Sequence, residues 1–221
     1  MHMRSALPVV LALLAARANA QTPPTEPAAP TAAPVQADAA AAPAWSFGLS
    51  VYTYAVPDDR DYVQPTFTAD RDWLHLELRY NYEAVDTGSA WVGYNFAVGD
   101  ELTLEMTPML GAVFGDTQGV APGYKATLGW KRFAFYSEGE YLFDAEDSAG
   151  NFFYNWSELT FTPTDNFRFG IVTQRTQLYQ GEHEIQRGLL VGIAGKNWDV
   201  SGYVFDLDAE PTFVLSFGTG F

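Results

Sequence analysis

Residues 73–83 read Trp-Leu-His-Leu-Glu-Leu-Arg-Tyr-Asn-Tyr-Glu, and their period is two. Leu74, Leu76, Leu78, Tyr80 and Tyr82 fall on one face of an extended chain. His75, Glu77, Arg79, Asn81 and Glu83 fall on the other. A helix would scatter both sets around its axis, so the stretch is a strand with one apolar and one ionisable face. Residues 101–112 repeat the pattern. Leu102, Leu104, Met106, Pro108, Leu110 and Ala112 alternate with Glu101, Thr103, Glu105, Thr107, Met109 and Gly111.

The same alternation runs from Trp45 to Phe221. It predicts twelve strands near 45–55, 62–70, 73–83, 89–98, 101–114, 120–131, 133–143, 152–162, 166–177, 187–196, 198–206 and 211–221, with ten to fourteen compatible with the boundaries. Tight connections (Asp70-Arg71-Asp72, Gly99-Asp100, Lys131-Arg132, Pro163-Thr164-Asp165, Asn197) alternate with mostly longer ones, of which Asp144–Asn151 and Leu178–Gln186 are the longest. Short turns on one rim and longer loops on the other define an antiparallel up-and-down transmembrane β-barrel, an all-β fold. A membrane strand needs only about 9–11 residues. Aromatics gather at both ends of the apolar face. Trp45, Trp130, Phe133, Phe161, Phe167, Trp198 and Phe221 lie near the short turns; Tyr80, Tyr82, Tyr141, Phe143, Phe153 and Phe213 lie near the loops. Two such rings match interfacial girdles.

Composition narrows the function classes. The 221 residues carry 27 acids against 12 bases, a net charge of −15, which argues against nucleic acid as partner. There is no cysteine, so disulfides and thiolate metal sites are excluded. Residues 1–20 read as a secretory signal peptide: Arg4 leads an apolar run from Ala6 to Ala16, and Ala18-Asn19-Ala20 fits a small-residue cleavage site. Residues 21–44, rich in Pro, Ala and Thr, read as a disordered periplasmic tether, and the barrel occupies 45–221.

The final strand carries the sharpest feature. Phe213, Leu215, Phe217, Thr219 and Phe221 alternate outward, and Phe221 is the last residue. In this the chain resembles bacterial outer-membrane β-barrel proteins, whose terminal Phe and preceding apolar residues are read by the barrel-assembly machinery. Thr219 departs from the apolar residue usual two before the end. The resemblance implies an outer-membrane location, Phe217 and Phe221 as the assembly signal, periplasmic chaperones, outer-membrane lipid and lipopolysaccharide as partners, and both chain ends on the periplasmic side. It points to no subfamily, so no family's active residues can be carried over.

The polar face lines the lumen. His75, Glu77, Arg79, Glu105, Lys125, Glu138, Glu140, Glu158 and Arg168 are its ionisable candidates, with Lys125 set beside Glu138 and Arg168 close to Glu158. Two uses stay open: a narrow passive channel whose acidic excess favours cations or small polar solutes, and a plugged structural or surface-interaction barrel. Arg175 and Arg187 face outward near the loop rim, where lipid phosphate would partner them. Acids crowd the loops. Asp206, Asp208 and Glu210 are weak candidates for a divalent cation, because they lack the glycine and distal Glu of a calcium loop. No other cofactor is expected. No Gly-x-Ser-x-Gly or His-Glu-x-x-His motif occurs, so an enzyme, meaning a lipid hydrolase or acyltransferase, is the least supported class.

Overall fold

The computed structural model describes residues 44–57, 60–178, 183–208 and 210–221. The expected signal peptide and all but the last residue of the tether lie outside them. The chain forms β1 (Ser46–Ala55), β2 (Tyr62–Arg71), β3 (Leu74–Tyr80), β4 (Thr87–Tyr94), β5 (Phe96–Val98), β6 (Leu102–Gly115), β7 (Gly119–Trp130), β8 (Phe133–Asp144), β9 (Phe152–Thr164), β10 (Phe167–Leu178), β11 (His183–Ala194), β12 (Trp198–Phe205) and β13 (Thr212–Gly220). Consecutive strands pair antiparallel, except β4 and β5. β4 and β5 both pair with β6 and are two pieces of one stave interrupted at Asn95, so the barrel has twelve staves. β1 closes it on β13, from Gly48↔Gly220 to Ala55↔Phe213. The amide of Phe47 donates to the carbonyl of Phe221 at 2.9 Å, and that of Phe221 donates back at 3.1 Å, so the last residue is stitched to the first strand.

The two faces sort as their period requires. On β13, Phe213, Leu215 and Phe217 are exposed, while Thr212, Val214 and Ser216 are buried. Leu78, Leu110, Ile171 and Val191 are each more than half exposed. An apolar belt of this extent exceeds what a water-facing surface tolerates and fits the lipid-facing wall of a membrane barrel. The short-turn girdle is a set of ring contacts: Trp45, Phe67 and Phe221 each stack on Phe47, and Phe133 packs on Trp130 and Phe161. At the loop end, Tyr141 packs on Phe143 at 4.7 Å. Gly99 makes one tight turn with φ +96°, where a Cβ would come within 2.0 Å of the Leu102 carbonyl oxygen.

Two expectations need correction. β11 begins at His183 rather than near 187, because Gln177 pairs with His183 and Arg175 with Ile185. The expected nine-residue loop is therefore mostly strand. Tyr82 does not join the outer girdle. β3 ends at Tyr80, and Asn81 adopts φ +56°, which breaks the alternation. Asn81 is held there by its side chain, which donates to the Val63 carbonyl and accepts from the Asp86 amide. Tyr82 consequently turns into the lumen together with Glu83.

Candidate functional site: the lumen network

The inner face of β3 presents His75, Glu77 and Arg79 in succession, and Glu77 is the hub. Its Oε1 accepts from Arg79 Nε at 2.6 Å. Its Oε2 receives His75 Nε2 at 2.9 Å and the Lys125 ammonium from across the lumen. His75 Nδ1 faces Asp70 Oδ1 at 2.7 Å, so both ring nitrogens meet carboxylate oxygens, an arrangement the doubly protonated ring satisfies with two donated bonds. Asp70 also accepts from Asn95, the residue that interrupts the β4–β5 stave.

Arg79 fans out from Glu77. Its Nη1 donates to Glu140 Oε2 at 2.7 Å and lies 3.7 Å from Glu83 Oε1. The guanidinium is held by two rings, with its Cζ 4.0 Å from the Tyr82 centroid and 4.3 Å from that of Trp91. Trp91 donates to Ser89 Oγ, which donates to Glu83 Oε1 at 2.6 Å. Trp91 can lie there because Gly111 faces it; a Cβ at Gly111 would sit 2.5 Å from the indole. Glu138 accepts from the hydroxyls of Tyr82 at 2.5 Å and Tyr136 at 2.7 Å.

A second cluster contains Glu158 and Arg168. Trp156 Nε1 donates to Glu158 Oε1 at 2.9 Å, and the Trp156 ring packs edge-on against Tyr52, Tyr203 and Phe205. Arg168 donates to Ser201 Oγ at 2.5 Å and lies 3.9 Å from Asp199.

The lumen is narrow at the level of the network. Glu77, Arg79, Glu138, Glu140 and Glu158 are buried, as are Trp91, Tyr136, Tyr154 and Trp156. A cavity of about 10 Å³ remains between Ser50, Gln64, Thr66, Tyr82, Lys125 and Glu138, the room one water needs. For side chains buried this far each charge-assisted bond is strong and each lost partner is costly.

His75, Glu77, Arg79, Lys125, Glu138 and Glu140 thus come together on the inner wall, and the closest bonds of Glu77, Arg79, Lys125, Glu138 and Glu140 run to partners other than their cross-strand neighbours. Lys125 and Glu138 are cross-strand neighbours, yet the ammonium binds Glu77. Arg168 takes Ser201 and Asp199 as partners while Glu158 takes Trp156. Neighbour-strand register shows which side chains share a height, not which meet across the lumen. Glu105 lies apart, half-buried on β6. Tyr82 and Ser89 also belong to the network, although nothing in the alternation marks them. The positive φ at Asn81 that recruits Tyr82 leaves no mark in the alternation.

The outer wall carries Arg187, exposed, and Arg175, half-buried with its guanidinium 5.9 Å from the Phe153 ring. Beside Arg175 on the same face, Asn155 Nδ2 donates to Tyr124 Oη and Ser137 Oγ, both at 3.1 Å, and Ser157 donates back to Asn155. Phe217 and Phe221 both face outward. Asp206 serves its turn: at φ +51° its amide donates to the Arg187 carbonyl and its carboxylate accepts from the Arg187 amide. Among the described residues no group of three His, Cys, Asp or Glu is placed to hold a metal, so the Asp206, Asp208 and Glu210 candidate does not assemble.

A closed antiparallel barrel, apolar outside and polar within, is a transmembrane β-barrel of the outer-membrane type. Solved structures agree on the fold. The KdgM porin superposes with a TM-score of 0.57 at 9% identity, covering 79% of this chain and 99% of that one. The KdgM porin in complex with disordered oligogalacturonate gives 0.58 at 9% identity, covering 80% and 99%. No protein-family model matches the sequence, and no curated protein sequence matches it.

Proposed function

We propose that the protein is a narrow outer-membrane channel that passes small cations and neutral polar solutes passively, with the Glu77–Arg79–Glu140 network as its constriction. The sign of the lumen charge carries this reading. Glu77, Glu83, Glu138, Glu140 and Glu158 oppose Arg79, Lys125 and Arg168 on the buried inner wall. A barrel that served only as membrane structure would be at least as stable with an apolar filling, because buried ion pairs rarely repay their desolvation. An acidic path with an acidic loop rim draws cations toward it. The porin fold supports a channel. The solute named with the KdgM porin is a carboxylate-bearing chain that an acidic lumen would repel, so it is not carried over.

A non-conducting barrel is the second reading, favoured by Trp156 and Phe205, which are fully buried where they fill the lumen. Planar-bilayer recording of the refolded barrel separates the two. Discrete conductance steps are expected, smaller than those of open sixteen-stranded barrels. No steps at any voltage would leave the plugged barrel standing. We also propose that Arg175 and Arg187 meet lipopolysaccharide phosphate on the outer leaflet, with both chain ends periplasmic. Replacing both arginines with Gln should lower lipopolysaccharide co-purification, and unchanged co-purification would remove the contact.

A further inference from the structure

The network is short of positive charge at one place. Glu83 and Glu140 approach the same guanidinium nitrogen, Arg79 Nη1, from the loop after β3 and from β8. Their side chains are 0% and 3% exposed. Each has one oxygen accounted for, Glu83 Oε1 by Ser89 and Glu140 Oε2 by Arg79. The other two, Glu83 Oε2 and Glu140 Oε1, are buried and receive no hydrogen bond.

Arg79 cannot neutralise both. It also serves Glu77, which further takes Lys125 and His75. Glu138 lies close by and draws on the neutral hydroxyls of Tyr82 and Tyr136. Glu83 and Glu140 thus depend on one guanidinium nitrogen, while Lys125 is taken by Glu77 and His75 divides its charge between Glu77 and Asp70. Among the described residues, the other groups around the two carboxylates are neutral: Ser89 and Trp91 from β4, Met109 from β6, and the nearby phenols of Tyr54, Tyr62 and Tyr154. Two like charges with unmet oxygens in a dry interior cost far more than one.

We propose that Glu83 Oε2 and Glu140 Oε1 form a site that takes up one unit of positive charge from the lumen water, either a proton or an alkali cation, and that this charge completes the closed network. The site is independent of conduction. A barrel that passes no current would still bind the charge and be stabilised by it.

The test uses the refolded barrel in detergent and reads the unfolding midpoint. One arm varies pH from 5 to 9 at fixed salt. The other compares NaCl with choline chloride of equal ionic strength at pH 8, choline being too large for the site. If the charge is a proton, the folded state binds more protons than the unfolded one, so the midpoint falls as pH rises. If it is an alkali cation, the midpoint is higher in NaCl. Either response should reach at least about 2 °C for a chain of this size. Glu140→Gln and Glu83→Gln should each abolish the cation response or flatten the pH slope relative to wild type. A wild-type midpoint insensitive to both pH and cation would overturn the proposal, as would a response undiminished in both Gln variants.

Discussion

Replacing Arg79 with Met is the most informative single perturbation of this barrel. The substitution keeps a side chain of similar length in contact with Tyr82 and Trp91 but removes the charge those rings enclose. It strands Glu77 and Glu140, whose oxygens lie 2.6 and 2.7 Å from guanidinium nitrogens, and leaves Glu83 without its nearest cation. Breaking a buried pair from one side costs about 3–5 kcal/mol. At about 2–4 °C per kcal/mol for a chain of this size, the melting midpoint should fall by about 6–20 °C. Heat-modifiability on gels and near-ultraviolet circular dichroism both read that midpoint. Arg79→Met combined with Glu140→Gln should recover part of the loss, since the two residues share one bond and must couple. If Arg79→Met melts within about 2 °C of wild type, these carboxylates are solvated and the account of a buried, mutually dependent network is refuted.

Further tests address other parts of the molecule. Gly111→Val should push Trp91 off Arg79 and destabilise the barrel by about 1–3 kcal/mol, read in the same melting assay. Trp156→Ala removes a fully buried side chain that packs on Tyr52, Tyr203 and Phe205, so single-channel conductance should rise. Deleting Phe221 removes its backbone pairing and ring stack with Phe47, and should slow insertion into lipid vesicles followed by gel shift. At the loop rim, amides of Asp147 and Glu146 donate to Asp144 and hold its carboxyl below the usual range. A depressed folded value means the turn's order is fully present above the ordinary carboxylate range near pH 4. It is lost as pH falls through the folded value, which amide exchange at Glu146 and Asp147 would follow.

The parts of this structure legible in the sequence are those governed by period two. Alternation along 73–80 and 102–114 placed the lumen and lipid faces, and alternating connection lengths gave the rims. An even number of staves is what allows β1 and β13 to pair antiparallel and close the barrel. What escaped were features set by something other than period. Asn81 leaves the extended region because its side chain bridges Val63 and Asp86, and Tyr82 turns inward as a result. Lys125 passes over its strand neighbour Glu138 to reach Glu77, since the shape of the closed lumen decides partners across it. The hydrogen-bonded Tyr124, Ser137, Asn155 and Ser157 on the outer wall follow from parity, but their connection across the three adjacent strands β7, β8 and β9 depends on register.

The sign of selectivity tests the central claim most directly. With the barrel reconstituted in a planar bilayer under a tenfold KCl gradient, an acidic constriction predicts a reversal potential displaced toward that of potassium. Glu138→Gln and Glu140→Gln should each move it back toward zero. A reversal potential displaced toward that of chloride, or one unchanged by either substitution, would contradict the claim that these carboxylates govern passage.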